Sequence, residues 1–232
     1  NISQHTIHNI FATLSIADEY ISLNEDSWYA GHIEPGMSVT GVGVYSFDIS
    51  EDIPDKHPLF FEGEVISTQQ TWIKEIILKA NAPVLELAWF EIDDDDGVLE
   101  PGELTDLIVG IRNTGHSEAT MAEAELFPSD PAITIHGNPI QFVGNILKGK
   151  VETATFSISA DESTPLGQGT TMILDIAAEQ GISAQEEFEL IIGKVPVMVI
   201  DLDPNNHSGP VIYETLQEMD ILSDYETHVR SS

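Results

Sequence analysis

The sequence predicts an all-β protein built from two tandem immunoglobulin-like antiparallel β-sandwiches, followed by the truncated start of an α/β domain. Three observations predict it: many short segments of alternating apolar and polar residues, turn signals between them at regular spacing, and an internal repeat. We expect the first sandwich at residues 1–82, the second at residues 83–194 and the α/β segment at residues 195–232.

Alternation with β-branched and aromatic residues marks the predicted strands, and Pro and Gly mark the turns between them. The clearest predicted strands are residues 40–49, 60–66, 71–78, 104–112, 153–158, 171–177 and 186–192. Trp72 and Phe188 fall at matching places in the last strand of each sandwich. We expect both to pack in a core, because large aromatic side chains are mostly buried.

The internal repeat consists of landmarks that recur in the same order. Residues 1–5 match 113–117, residues 18–23 match 130–135, residues 31–36 match 144–149 and residues 46–50 match 155–159. The second copy has an extra leading segment at residues 83–110, so we expect the first sandwich to lack its opening strand. The sheet edge left open in this way would invite pairing with other chains.

The charge balance is extreme, with 40 acidic residues against 8 basic ones and a formal net charge of −32. Such a surface repels phosphate groups, so nucleic acids and anionic membranes are poor partners. No apolar run approaches the roughly 20 residues that a membrane-spanning helix needs. Cysteine is absent, which excludes disulfides, thiolate metal sites and a cysteine nucleophile from this chain. There is no initiator Met and no leader sequence, and we expect a fragment of a larger protein.

The pattern changes after Pro196. A continuous apolar run at residues 197–200 is typical of a strand buried on both faces. Ser208 is a good N-cap with Pro210 in the first turn, so a helix is predicted from there to about Met219. A strand, a loop and a helix in this order start a parallel α/β domain, but they are too short for an independent core. Because the strand has no predicted partner in this chain, we expect the tail to dock on the second sandwich or on a neighbouring chain.

An acidic cluster after the first strand of the second sandwich is the best candidate for a metal site. Its members are Asp93, Asp94, Asp95, Asp96, Glu100 and Glu103. Ca²⁺ takes six to eight oxygen ligands, and Gly97 could supply the sharp turn that gathers them. The loop is not an EF-hand, because Ile92 would fall at the first ligand position. Two interpretations stay open: bound Ca²⁺, or a solvated turn in which Glu103 satisfies main-chain donors.

A second acidic group follows the predicted strand of the tail, with oxygen ligands at alternate positions in Asp201, Asp203 and Asn205, and then His207. This spacing could wrap a cation, but it lacks the glycine and the final acid of an EF-hand loop. The alternative is that these residues border a ligand site, because loops at the carboxyl ends of strands carry ligands in α/β folds. His32 and His116 fall in predicted turns, and we expect both to be exposed.

One stretch carries a family resemblance. An acidic loop, then residues 99–103 (Leu-Glu-Pro-Gly-Glu), a strand, and residues 113–115 (Asn-Thr-Gly) stand in this order. This order resembles the adhesion-type, CARDB-like immunoglobulin modules of large secreted Bacteroidetes proteins, which are often found beside gingipain-type cysteine peptidases. The resemblance covers most of residues 1–194, and residues 196–210 look like the start of an α/β domain that follows such modules. It implies an extracellular or cell-surface bacterial location after type IX secretion, and a spacer, adhesion or chaperoning role.

Three functions are compatible with these observations. The first is a non-catalytic spacer or interaction module of a larger secreted or cell-surface bacterial protein, with neighbouring domains of the same polypeptide as partners. The second is an adhesive module for protein or glycan, for which Trp28 and Tyr29 are the strongest exposed aromatic pair. The third is an accessory fragment of an exported peptidase whose catalytic domain lies outside this chain. We predict no catalytic residues, no cofactor besides Ca²⁺, and limited hinge freedom at the short junction of residues 80–83.

Overall fold

The computed structural model describes residues 1–193, 197–200, 208–219 and 223–226, and β-strands dominate it. Six strands come first: β1 (Ile7–Ser15), β2 (Ile21–Glu25), β3 (Ser27–Ile33), β4 (Ser46–Ile49), β5 (Pro58–Ile66) and β6 (Thr71–Lys79). Eight follow: β7 (Leu85–Asp93), β8 (Leu104–Asn113), β9 (Ala119–Pro128), β10 (Ile133–His136), β11 (Ile140–Ile146), β12 (Val151–Ala160), β13 (Gln168–Ala177) and β14 (Ser183–Ile192). We call β1–β6 the first unit and β7–β14 the second unit.

Both units have the two-sheet arrangement of an antiparallel sandwich. The second unit consists of a sheet in the order β10-β12-β8-β7 and a sheet in the order β11-β9-β13-β14. The first unit has a sheet in the order β3-β1-β5-β6 and a two-stranded sheet, β2-β4. No sheet within residues 1–193 contains strands of both units. The predicted fold class is therefore confirmed.

The core of the second unit lies between its sheets and follows the predicted alternation along each strand. From Leu107 in β8 and Thr170 in β13 onward, every second residue is buried. The residues between them are more exposed, except Gly110, which lies against the Trp89 side chain. These inward-facing side chains are Leu107, Val109, Ile111, Met172, Leu174 and Ile176. Leu99, in the loop between β7 and β8, is also fully buried and fixes that loop to the core.

The core of the first unit is smaller. It contains Ile53, Leu59, Phe61 and Ala80, and Phe47 packs against Phe61 with ring centroids 5.1 Å apart. All nine residues of β6 are exposed, although β14 of the second unit alternates between buried and exposed residues.

The prediction that Trp72 packs in the core is wrong, because its side chain is 39% exposed, whereas Phe188 is buried as predicted. The strand pairing also shows that Trp72 and Phe188 are not at equivalent positions of the two units. Trp72 pairs with Val65, whereas the partner of Phe188 in the second unit is Met172.

The predicted strand at residues 40–49 is wrong in its first part, because β4 begins only at Ser46. The other six predicted strands overlap β5, β6, β8, β12, β13 and β14. The alignment of the first copy of the repeat with the second must also be shifted at β4. Ile21 pairs with Ile49, and its counterpart Ile133 pairs with Ala160, so β4 corresponds to residues 157–160 and not to residues 155–158.

The tail contains β15 (Val197–Ile200), α1 (Ser208–Glu218) and β16 (Ser223–Glu226). β15 and β16 pair in parallel, so the prediction that the apolar strand has no partner in this chain is wrong. The helix begins at Ser208 as predicted, and strand, helix and parallel strand form the start of an α/β arrangement. Docking of the tail stays a prediction. No helix within the described part of the chain has the length and apolar character needed to cross a bilayer.

Candidate functional site

The best-defined site is the junction between the two units, formed by residues 80–84 and the loops that contact them. Ala80 and Ala82 are both buried, at 7% and 6% exposure. The N–H of Ala80 donates to the carbonyl oxygen of His57, at 2.9 Å, which fixes the first end of the junction to the first unit. A junction with buried alanines and paired main-chain groups is unlike an open, solvated linker.

Asp55 connects the first unit to the junction and to the second unit. It lies in the loop between β4 and β5, and its Oδ1 accepts a hydrogen bond from the N–H of Ala82 at 3.1 Å. Its Oδ2 lies 2.7 Å from Nδ1 of His116, in the turn between β8 and β9. The Asp55 side chain is only 13% exposed, so the carboxylate is well shielded from solvent. One carboxylate therefore contacts both the junction and the following sandwich.

His116 fixes the second unit to the same point. The prediction that it is exposed is wrong, because its side chain is 28% exposed and pairs with Asp55. Its main-chain N–H also donates to the carbonyl oxygen of Ala82, at 2.9 Å. His32, in contrast, is exposed as predicted. The sequence could not reveal this role of His116, since the two partners lie 61 residues apart.

Asn113 and Gly115 complete the junction from the second unit. Oδ1 of Asn113 accepts hydrogen bonds from the N–H groups of Val84, at 3.2 Å, and of Gly115, at 3.0 Å. A Cβ atom added at Gly115 would lie 2.4 Å from both the Ala82 carbonyl oxygen and the Val84 nitrogen. The close approach of two main chains therefore requires glycine at this position.

The surroundings of Asp55 favour its charged form. Partial burial alone would raise the pKa of this carboxyl group, but hydrogen bonds from Ala82 and His116 outweigh that effect, and the pKa lies below its ordinary value. Protonating Asp55 weakens its contacts with both partners. The junction is therefore strongest when this carboxylate is ionised.

A second pair of this kind lies inside the first unit. Nε2 of His57 is 2.8 Å from Oδ2 of Asp18, and Tyr20 packs edge-on against the His57 ring. The hydrogen bond to His57 is the main cause that lowers the pKa of Asp18. Within the described residues, no serine or threonine hydroxyl bonds to the side chain of His57 or His116. Both pairs connect loops.

In the acidic loop between β7 and β8, several carboxylates accept hydrogen bonds from main-chain N–H groups of the same loop. Oδ1 of Asp94 accepts from the N–H groups of Asp96 and Gly97, and Gly97 adopts a positive φ of 72° in this turn. Oε2 of Glu103 accepts from the N–H of Glu100 at 2.8 Å, which agrees with the solvated-turn interpretation for Glu103. Asp95 is exposed.

The predicted cation sites remain predictions. Within the described ranges, the structure brings no three His, Asp or Glu side chains together as metal ligands. Asp93 contributes its main-chain carbonyl to a hydrogen bond from Thr105, at 3.3 Å. The second predicted group lies outside the described residues and comprises Asp201, Asp203, Asn205 and His207.

The aromatic pair proposed for adhesion does not lie on a loop. Trp28 and Tyr29 are successive residues of β3, so their side chains point to opposite faces of the sheet. Tyr29 packs against Phe11, with ring centroids 4.6 Å apart, and Trp28 lies beside Gly41. The two rings therefore do not form one binding surface.

No protein-family model and no curated protein matches the chain. Among solved structures, it is similar to red sea bream transglutaminase, with a TM-score of 0.37 and 10% identity over 84% of this chain and 28% of that chain. It is also similar to extracellular cadherin domains 3–6 of protocadherin gamma B2, with a TM-score of 0.28 and 11% identity over 85% of this chain and 45% of that chain. For the secreted serine protease VesC from Vibrio cholerae, the TM-score is 0.24 and the identity 11%, over 78% of this chain and 46% of that chain. The chain thus spans less than half the length of each, and at these TM-scores the similarities carry no argument about function.

Proposed function

We propose that this chain is a non-catalytic spacer module of a larger secreted or cell-surface bacterial protein, which holds neighbouring domains of that protein at a fixed separation. The observation that carries the proposal is the junction, where Asp55 contacts both Ala82 and His116. A spacer transmits a fixed geometry only if its units do not swing about their connection. The contacts at Ala82 and Asp55 are what such a connection needs.

The number of independent contacts supports a fixed angle between the units. The junction is held from the first unit by His57 and Asp55, and from the second unit by Asn113 and His116. A change of angle would break several of these hydrogen bonds together, each of which contributes about 1 kcal/mol. We infer that the units move as one body under native conditions.

The location of the parent protein belongs to the same proposal. The resemblance of residues 92–115 to CARDB-like modules of secreted Bacteroidetes proteins supports an extracellular setting. The formal net charge of −32 keeps such a module soluble and prevents non-specific contact with anionic surfaces. Both features suit a module that separates its neighbours without binding them broadly.

A measurement of the distance between the far ends of the two units tests the proposal. The chain has no cysteine, so the double variant Gln69→Cys and Ser129→Cys takes spin labels at two exposed positions only. We expect one narrow distance distribution from pulsed electron spin resonance. Its width should match that of a reference pair within the second unit, Ser129→Cys with Lys148→Cys.

A matched pair of variants separates coupling from stability. Asp55→Ala with His116→Ala should broaden the distribution between the labelled units. The control is Asp18→Ala with His57→Ala, which removes an equivalent side-chain pair inside the first unit. It keeps the main-chain carbonyl of His57 that holds Ala80, so the distribution should stay narrow. A distribution that is already broad in the otherwise unaltered chain would contradict the spacer function.

A further inference from the structure

The first unit has counterparts of six of the eight strands of the second unit. Its sheet β3-β1-β5-β6 repeats the order β11-β9-β13-β14, and its sheet β2-β4 repeats the pair β10-β12. Within residues 1–193, only β7 and β8 have no equivalent in the first unit. In the second unit these two strands form a hairpin that completes one sheet and covers the other.

Asn1 of the first unit and Asn113 of the second unit are equivalent in their hydrogen bonds. Nδ2 of Asn1 donates to the carbonyl oxygens of His5 and Ile33, at 2.9 and 2.8 Å. Nδ2 of Asn113 makes the two equivalent bonds, to Ser117 and Ile146, at 2.8 and 2.9 Å. The main-chain carbonyls agree too, since Asn1 accepts from Gly36 at 2.8 Å and Asn113 accepts from Gly149 at 2.7 Å. Because Asn113 is the last residue of β8, Asn1 is the counterpart of that residue in the first unit.

The edge beside this place is incomplete. In the second unit, residues 151–156 of β12 pair with β8 alone, and residues 157–160 also reach β10. Their counterparts in the first unit are residues 40–45, which form no strand, and β4, which does. The alternating sequence at residues 40–45 favours a strand, and Val42 is 91% exposed there. No strand within the described residues pairs with residues 40–45, and Gly43 among them adopts a positive φ of 67°.

The apolar face of β6, in the other sheet of the first unit, is also exposed to solvent. Ile76 and Leu78 of β6 are 42% and 45% exposed, whereas their counterparts Phe188 and Leu190 of β14 are 8% and 4% exposed. In the second unit it is β7 that covers this face, and its Phe90 packs on Phe188 with ring centroids 4.4 Å apart. The exposed apolar side chains of β6 are those that an equivalent of β7 would bury.

We propose that the first unit accepts a two-stranded antiparallel β-hairpin with an apolar inner face, in the place that β7 and β8 occupy in the second unit. One strand of the hairpin pairs with residues 40–45 and β4, and the other lies over β6. The second unit identifies the occupant, because β8 supplies Leu107, Val109 and Ile111 at alternate positions of its inner face. A second copy of the chain does not supply this hairpin, because its own β7 and β8 are already paired within its second unit. This inference goes beyond the spacer function and does not depend on the junction.

The experiment fuses a copy of residues 84–112 ahead of Asn1, so that the copied hairpin enters Asn1 as the native hairpin enters Asn113. Trp28→Phe, together with Trp89→Phe in both copies, leaves Trp72 as the single tryptophan, which is excited selectively at the red edge of the absorption band. We expect slowed amide exchange at residues 40–45 by at least about tenfold, and a blue shift of Trp72 emission as β6 becomes covered. Leu107→Asp with Val109→Asp in the copied hairpin is the matched control, and it should abolish both changes.

Two further measurements keep the proposal falsifiable. A synthetic peptide of residues 84–115, added to the unfused chain, should slow exchange at residues 40–45 with saturable dependence on its concentration. If neither the fusion nor the peptide protects these residues, the proposal is overturned. It is also overturned if the unfused chain forms a dimer, by ultracentrifugation, in which residues 40–45 are protected and the peptide cannot displace the second copy.

Discussion

Nδ1 of His116 lies 2.7 Å from Oδ2 of Asp55, so a side chain of the second unit pairs with a side chain of the first. A double-mutant cycle measures what this contact contributes. We expect the coupling energy between Asp55→Ala and His116→Ala to be about 1 kcal/mol in urea unfolding followed by Trp fluorescence. The same cycle for Asp18→Ala with His116→Ala should give a coupling near zero, because Asp18 pairs with His57 and not with His116.

The junction should weaken in acid. The pKa of Asp55 is lowered in the folded chain, so the unfolded chain binds more protons in the window below the ordinary Asp pKa of about 3.9. The stability that this carboxylate contributes is complete above that value and is lost as the pH falls through the lowered pKa. Because Asp18 and Asp161 also have lowered pKa values, the measurement is the difference in unfolding free energy between the wild type and Asp55→Asn from pH 5 to pH 2. A difference that is constant across this range would contradict the assignment.

Gly115 should tolerate no side chain. In Gly115→Ala the new Cβ would lie 2.4 Å from main-chain atoms of Ala82 and Val84, which cannot move without opening the junction. We expect a loss of about 1–3 kcal/mol in unfolding free energy, together with a broader distance between the two units. Gly63→Ala is the control, because its Cβ would meet the nearest atoms at ordinary distances of 3.5 and 3.6 Å. Equal losses in the two variants would show that crowding at Ala82 is not the cause.

Much of the fold follows from local patterns in the sequence. The alternation of β8 and β13 is visible in the sequence and specifies which side chains face the core. The repeat landmark at Asn1 and Asn113 is likewise a local motif, and the structure gives both residues the same bonds. Such features can be predicted because the residues that cause them are neighbours in the chain.

Local sequence pattern fails to predict the structure where pairing with a distant segment determines it. Residues 40–45 have the sequence of a strand but no neighbouring strand, and Trp72 has the character of a core residue but no covering sheet. The local sequence predicts an exposed turn at His116, because nothing near it in sequence indicates Asp55. β-structure depends on pairing between distant segments, so local pattern alone does not determine it.

Asn113 should be far more important to stability than its counterpart. It is fully buried, and its side chain forms hydrogen bonds with main-chain groups of Val84, Gly115, Ser117 and Ile146. Asn113→Ala leaves buried main-chain groups without partners, and we expect a loss of at least about 2 kcal/mol in unfolding free energy. Asn1→Ala removes a similar set of bonds in a more exposed setting, and a loss below about 1 kcal/mol is expected by the same measurement. A larger loss for Asn1→Ala than for Asn113→Ala would contradict the importance of burial.

The acidic loop offers two outcomes that a Ca²⁺ titration separates. Four successive aspartates repel one another, and a bound divalent ion would relieve that repulsion. A ligand that binds only the folded chain stabilises it by about 2.7 kcal/mol at a hundredfold excess over its Kd. For a domain of this size, such a gain raises the Tm by several degrees.

We expect Ca²⁺ to raise the Tm of the second unit above that in Na⁺ at the same ionic strength, because general screening also helps so acidic a chain. Asp94→Asn with Asp96→Asn should abolish the extra rise, since each side chain keeps the oxygen that accepts its main-chain hydrogen bonds and loses only its charge. Asp130→Asn with Asp175→Asn is the matched control: it removes two charges from other carboxylates of the second unit that accept hydrogen bonds, and it should leave the rise intact. If Ca²⁺ does no better than Na⁺, or if both double variants respond like the wild type, the loop is a solvated turn held by its own carboxylates.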